Sequence, residues 1–499
     1  MLMFKKSVIS LMIVFLWFDQ LTCQIVENLN YRALDSITYT EYSNQQWKDV
    51  IHFGDIALDK NIDYYYLRMR MGISSYNLGR YPEAANHFEK ALIFNSKAPT
   101  AQLYLYDSYK LIGKNTKAYK LRKGFTDNTL AQVTPKKKIV EAIYAGGGYS
   151  FSNNYSLNNN FFLDENQDSL SGYRTLIGDK SDVYAGLSFN FSPSVSLYVG
   201  YNHLQIKKKI NLQYIEVPLI VDSIHNEDWG FQKFFSADTV FLHRTFDEII
   251  QQSEIYLNAK IQFDKGWALT LFSNMILVNS GNIKANTTSR SVTDTSYYVY
   301  GFPPEVFTYN YDEVQFTRTD SSFTNFVVGL NLEKDFNNIT INLAASISKL
   351  NGIRQRQLRV STFYYLTPYA NFYGSTGITG FVQLQKDGGK EKRLIFDQKI
   401  GSKLYRNFWG EVEITYGNLN NANTDNGFIV YNQADKMKFK TGLTLSIFLG
   451  AQIELNLLYR YISYEGIFAE ESNDEQNSLI THSFNYQTQN IFGGIKWKF

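Results

Sequence analysis

The chain has 499 residues, enough for two or three domains, with 49 basic against 47 acidic residues. That near-balance excludes the basic footprint of a nucleic-acid binder. Aromatics reach 16%, with 37 Tyr and 37 Phe, which is high for a soluble enzyme and suits an all-β surface with aromatic belts.

Residues 1–23 read as a secretory signal. Lys5 and Lys6 form its charged region, and an apolar stretch runs from Val8 to Phe18. Cleavage after Cys23 leaves Gln24 first, although Leu21-Thr22-Cys23 is an imperfect small-residue site. The alternative is a lipid anchor on Cys23, against which Gln20 stands where a lipobox carries Leu. No other Cys occurs, which fits an oxidising compartment and excludes disulfides and Cys-based metal sites. No later stretch of 18 apolar residues follows, so no transmembrane helix is expected.

Residues 24–130 are helical in pattern. Their centre, "YLRMRMGISSYNLGRYPEAANHFEKALIFNSKAP", resembles a tetratricopeptide repeat: Gly72, Gly79, Tyr81, Ala84, Phe88 and Ala91 stand at the spacings that repeat uses. Small Gly72 and Ala84 let two helices approach closely, large Tyr76 and Phe88 fill the space between pairs, and Gly79 ends the first helix. A 34-residue shift finds weaker copies, with Trp47, Val50, Ala57 and Leu58 upstream and Leu105, Tyr109, Gly113 and Ala118 downstream. About three repeats are expected, and Arg122, where a Phe belongs, suits a capping repeat. Such repeats bind partners along a concave face; the plainer reading is a short array that caps its neighbour.

"DNTLAQVTPKKKIVE", at 127–141, reads as a linker centred on 131–138. From 139 to 499 the apolar period becomes two. Asn258, Lys260 and Gln262 alternate with Leu257, Ala259 and Ile261, and Gln452, Glu454 and Asn456 alternate with Ala451, Ile453 and Leu455. Fourteen strands are expected, near 139–151, 181–191, 195–207, 253–263, 267–279, 323–334, 338–350, 355–366, 372–385, 393–404, 408–419, 435–448, 451–464 and 483–499. Connections after even-numbered strands are tight. Those after odd-numbered strands vary, and 152–180, 208–252 and 280–322 are the longest. That asymmetry is the signature of an outer-membrane antiparallel barrel, with short periplasmic turns and long outside loops. An even count brings the C-terminus back to the side where the repeats begin, so the repeats are expected in the periplasm. A β-sandwich is the runner-up.

On this register the charged residues face inward: Lys260 on the fourth strand, Asp397, Lys399 and Lys403 on the tenth, Glu411 and Glu413 on the eleventh, Lys436, Lys438 and Lys440 on the twelfth, and Glu454 and Arg460 on the thirteenth. The dominant sign changes from strand to strand. The residues fit a polar conduit, and equally a self-satisfied ionic wall held by cross-strand attraction. Long loops that fold inward would narrow the lumen.

No zinc motif, phosphate loop, nucleophile elbow or dinucleotide fingerprint occurs, so neither an enzyme nor a cofactor is expected. "YAGGGYS" at 144–150 lacks a following helix, and glycines facing an inserted side chain explain it better. "DENQDS" at 164–169 offers Asp164, Glu165 and Asp168 as calcium acceptors; the plainer reading is a solvated loop tip.

A periplasmic tetratricopeptide module fused to a C-terminal outer-membrane barrel resembles, in architecture, the bacterial exopolysaccharide exporters. The resemblance implies repeats that guide polymer or bind synthesis partners, and a barrel that extrudes the chain. No polymer-handling residue of that family matches here. Two functions from different classes are therefore carried. One is a conduit for a polymer or solute, which needs an open lumen. The other is a non-conducting anchor whose repeats dock a periplasmic protein within an envelope complex.

The last strand, "NIFGGIKWKF", places Ile491, Ile495, Trp497 and Phe499 on one apolar face. Ile495, Trp497 and the terminal Phe499 resemble the signal by which the barrel-assembly machinery recognises outer-membrane clients. Deleting Phe499 is expected to lower the amount of barrel in the outer membrane. Immunoblots of membrane fractions test this, and normal membrane levels of the truncated chain refute it.

Overall fold

The computed structural model describes residues 29–133, 138–158, 169–192, 194–216, 219–226, 230–237, 240–296, 305–336, 339–367, 371–385, 388–472 and 479–499. The signal segment and the calcium candidates Asp164, Glu165 and Asp168 lie outside the described residues.

The N-terminal part is a run of paired helices. First helices begin at Tyr31, Tyr65 and Pro99 and second helices at Trp47, Tyr81 and Asn115, each series keeping the 34-residue period of a tetratricopeptide array. Ala84, Phe88 and Ala91 are fully buried between the pairs. A Cβ on Gly72 would stand 2.6 Å from the Phe88 ring, so only glycine allows this approach. Tyr76 packs edge-on against Tyr81 at 5.4 Å and Tyr104 at 5.2 Å, knitting the second pair to the third. Gly79 takes the left-handed conformation that turns the chain between helices. A further helix, Asp127–Val133, follows the third pair, so the first half of the segment read as linker is itself helical.

The strands are β1 (Val140–Ser152), β2 (Ser169–Ser192), β3 (Val195–Glu216), β4 (Leu219–Asn226), β5 (Gly230–Ala237), β6 (Val240–Gln262), β7 (Trp267–Ser296), β8 (Glu305–Asp335), β9 (Ile339–Leu350) and β10 (Ile353–Tyr365). They continue as β11 (Phe372–Leu384), β12 (Lys390–Tyr405), β13 (Phe408–Tyr416), β14 (Asn423–Thr424), β15 (Ile429–Val430), β16 (Lys436–Leu449), β17 (Ile453–Ser472) and β18 (Leu479–Lys498). Fourteen of them close into one antiparallel barrel; β4–β5 and β14–β15 are separate hairpins. The barrel closes where β1 meets β18, from Ala142 opposite Lys498 to Ser152 opposite Thr488. The last residue completes the seam, its Phe499 N–H donating to the Glu141 carbonyl at 3.0 Å.

One structural difference from the expected strands concerns the long connections. The segments 208–252 and 280–322 are mostly strand rather than loop: β7 and β8 run for 30 and 31 residues. Beyond the membrane both faces become polar, as in "KANTTSRSVTDTS", so the period-two signal fades while Thr and Val keep their β-preference. Phe246 and Phe316 pack with Ile210 and Ile283 in this outer extension. At the mouth, β2 and β17 also pair edge to edge, Ala469 opposite Tyr173.

The barrel's outer face is an apolar belt that includes Leu257, Leu271, Val328, Leu343, Leu358, Ile378, Leu394, Leu443, Leu457 and Ile491, all exposed. No helix among the described residues is long and apolar enough to cross a membrane. A closed barrel wearing such a belt is built to sit in lipid, and the fold is of the outer-membrane type. The repeats sit at the end of the barrel that carries the short turns, where Lys114 Nζ lies 3.4 Å from Asp335 at the end of β8.

Phe88→Ala removes the largest fully buried side chain of the repeats. It is expected to destabilise the helical module by about 3–5 kcal/mol while leaving the barrel folded. Urea unfolding followed by helical circular dichroism, alongside heat-modifiable gel migration of the barrel, reads both effects.

Candidate functional site: a plugged lumen

Along each barrel strand every second residue points inward. Those positions carry two kinds of polar side chain, ionic on one arc of the wall and amide on another.

The ionic arc runs from β10 to β17. Arg359 pairs with Asp397, Lys399 Nζ stands 3.1 Å from Glu411, and Glu413 is shared by Arg460 at 3.0 Å and Lys440 at 3.4 Å. Lys260 pairs with Glu333 at 3.0 Å on the far wall. Glu454 faces Lys498 at 3.7 Å near the short-turn end. Lys403 is exposed near the turn before β13, its backbone opposite Trp409. Opposite charges on adjacent strands, and on strands one apart as in Arg359–Asp397, Arg460–Glu413 and Lys260–Glu333, thus satisfy one another across the wall.

Lys436 and Lys438 do not face the lumen. Both reach Glu465, at 3.5 and 3.1 Å. Glu465 lies on the face of β17 opposite that of the buried Tyr464, and is therefore outside. A bulge between Met437 and Phe439 is the reason: it shifts the alternation by one, so Met437 and Lys440 point inward and Lys436 points out.

The amide arc receives a segment of the chain itself. After β13, residues 417–435 turn back into the barrel instead of staying outside. Within this plug β14 and β15 pair, Asn423 opposite Val430. Asp425, Asn426 and Gly427 make the tip, all with positive φ, as the residue types allow. The plug is seated mainly by hydrogen bonds to inward amides. Gln357 donates to the Asn423 carbonyl at 3.0 Å and accepts from its N–H at 2.8 Å. Asn274 donates to the Gly427 carbonyl at 3.1 Å, and the Tyr256 hydroxyl donates to that of Asn426 at 3.0 Å. Asn351 donates to the Asn432 carbonyl at 2.8 Å, and Asn432 donates to Gln252 at 2.8 Å. Leu419, Ala422 and Tyr431 add an apolar contact with Phe381, Ile462 and Tyr464 toward the mouth.

A cavity of about 600 Å³ remains between the plug and the wall formed by β1–β3, β6 and β16–β18. Its sides are mostly rings: Tyr144, Tyr184, Tyr198 and Tyr256 from the wall and Phe428 from the plug. Phe428 lies 5.1 Å from Tyr256 and 6.1 Å from Tyr198, so the plug tip is one wall of the cavity. Lys180, Asp182, Glu254 and Arg460 supply charge of both signs. The glycine run of β1 serves this surface, since a Cβ on Gly146 would stand 2.6 Å from the Tyr184 ring and Gly148 lies against Phe492. Such a site can hold a partly apolar solute of modest size with a few polar groups.

On the outer face, Ile495, Trp497 and Phe499 are exposed with the apolar belt, and the last two rings stack at 5.8 Å. The residues that build the plug and the cavity carry no motif. The signal available was the run of inward amides, Gln252, Asn274, Gln355, Gln357 and Gln383, facing an asparagine-rich loop.

No family model matches the sequence, and no curated protein matches it. Solved structures similar to the barrel include a Pseudomonas aeruginosa FadL homologue, at 8% identity and a TM-score of 0.36, covering 72% of this chain and 89% of that one. The P. putida toluene transporter TodX is similar at 8% identity and a TM-score of 0.36, covering 74% and 92%. The repeats are similar to the Arabidopsis OM64 TPR domain, at 15% identity and a TM-score of 0.18, covering 21% and 84%.

Glu413→Gln leaves Lys440 and Arg460 buried without their shared counter-charge. It is expected to cost about 3–5 kcal/mol. The temperature at which the folded barrel converts to the unfolded gel band should fall, and Glu413→Gln/Lys440→Met should recover part of the loss. An unchanged transition in the single variant would count against a structural role for this triad.

Proposed function

We propose that the chain is a gated outer-membrane conduit for a solute, with residues 417–435 as the gate and the ring-lined cavity as the holding site. The observation that carries this reading is the mode of seating. The plug is fastened chiefly by neutral side-chain hydrogen bonds that water can replace, inside a wall whose ion pairs hold without it. With the plug in place the lumen is not the open path that a polymer conduit needs, so a small solute suits the cavity better than a polysaccharide.

In this reading the repeats lie in the periplasm and dock a protein partner at the short-turn end. The terminal strand is presented to the barrel-assembly machinery, and no catalytic step is involved. A second reading keeps support from the filled mouth: a non-conducting anchor that fixes the repeats beneath the membrane as a scaffold for an envelope complex.

Single-channel recordings separate the two. The purified protein is expected to conduct little. Replacing residues 419–433 by a short Gly-Ser bridge is expected to give steady channels, and weakening the seat with Asn274→Ala/Gln357→Ala should give intermittent openings. Absence of conductance from the folded plug-replacement variant would remove the conduit reading and leave the anchor.

A further inference from the structure

At the short-turn rim a cleft of about 150 Å³ lies between the helix Asn115–Arg122 and the turns that follow β6 and β8. Lys114, Lys117, Lys120 and Lys265 line it, against Glu333 and Asp335. Both carboxylates are engaged, Glu333 with Lys260 at 3.0 Å and Asp335 with Lys114 at 3.4 Å, and Lys117 faces Glu89 at 3.6 Å. Among the described residues the lining thus carries four lysines against two carboxylates. Burial holds the Lys114 ammonium below its ordinary range, nearby Asp335 opposes that shift, and the like charge of Lys117 adds to it. An anion placed here would relieve that crowding.

The outer lip of the same cleft is aromatic. Phe263 and Trp267 line the cleft and are exposed beside Phe336, at the lower edge of the apolar belt. Lys334 Nζ stands 4.8 Å from the Trp267 ring centre and 5.6 Å from that of Phe336, and donates to the Lys265 carbonyl at 2.7 Å. Aromatic rings with lysines reaching past them mark the depth of lipid headgroups. A free phosphate ion would use the lysines but not the rings; a phospholipid would use both.

We propose that this rim cleft binds the headgroup of an anionic phospholipid from the leaflet facing the repeats, with Lys117, Lys120 and Lys265 around the phosphate and Phe263 and Trp267 beside the acyl chains. The proposal rests on the barrel spanning a membrane and not on whether the lumen conducts. The bound lipid would fasten the third repeat to the rim, adding to the Lys114–Asp335 ion pair.

Native mass spectrometry of the full chain in neutral detergent, titrated with phosphatidylglycerol or phosphatidylcholine, tests it. Phosphatidylglycerol is expected to be retained in preference to phosphatidylcholine. Lys120→Gln/Lys265→Gln is expected to weaken that retention by about tenfold. Lys438→Gln, which removes a lysine paired with Glu465 at the opposite end, should leave it unchanged. Heat-modifiable migration confirms folding; if the double variant fails that check, Lys265→Gln on its exposed turn takes its place. Equal retention of the two lipids, or undiminished retention by the folded variant, overturns the proposal. Inorganic phosphate binding as tightly as phosphatidylglycerol, measured by calorimetry, also overturns it, in favour of a free-anion site.

Discussion

Everything in the C-terminal part depends on closing the β1–β18 seam. In lipid no water is available to an unpaired N–H or C=O, and each one left open costs several kcal/mol. An open sheet of thirteen of these strands would expose two such edges. The closing ladder therefore carries the constraint for the whole barrel, and it uses the final residue, Phe499, through the bond to Glu141. The same seam explains the glycine run of β1. Gly146 and Gly148 make room for the rings of Tyr184 and Phe492, which a β1 side chain at either position would displace.

Closure fixes two surfaces with different demands. The outside must be apolar, and the belt from Leu257 to Ile491 is. The inside is free to be polar, and the chain uses that freedom in two ways. Between β10 and β17 it sets Arg359, Lys399, Lys440 and Arg460 against Asp397, Glu411 and Glu413. Facing the plug it sets amides. Asp425 at the plug tip lies within electrostatic reach of Arg359, Lys399 and Arg460, so the two arcs meet where the tip ends.

Much of the architecture was legible in the sequence because it follows from period and spacing. The 34-residue repeat and the alternation of β9 to β18 are periodic signals, and the helix and strand positions follow them closely. What was not legible came from events that break a period. One extra residue in β16, at the Met437–Phe439 bulge, sends Lys436 outward, and no composition signal marks it. The long outer halves of β7 and β8 have no buried face to impose alternation, so they look like loop. The plug was hidden for another reason. Residues 417–435 are rich in Asn and turn-formers, which is how a solvated loop reads, and only their match to Gln357, Asn274 and Gln252 across the lumen reveals an interior. That match is between positions far apart in sequence, and a single chain read in order does not display it.

The division of labour between the two arcs bears on how the plug could move. Breaking a buried ion pair by removing one partner costs about 3–5 kcal/mol, because the remaining charge is left without compensation. A neutral hydrogen bond contributes only about 0.5–1.5 kcal/mol net, because water takes the place of the lost partner. A gate fastened by ion pairs would leave stranded charges on the wall each time it opened. A plug that opened as proposed, fastened by Gln357, Asn274 and Asn351, would leave amides that entering water satisfies. The apolar contact of Leu419, Ala422 and Tyr431 then becomes the main term holding the plug in place, and it lies toward the mouth, where the segment is tethered at both ends by β13 and β16. The tip around Phe428 forms one wall of the cavity, and its departure works against the attraction of Asp425 for Arg359, Lys399 and Arg460.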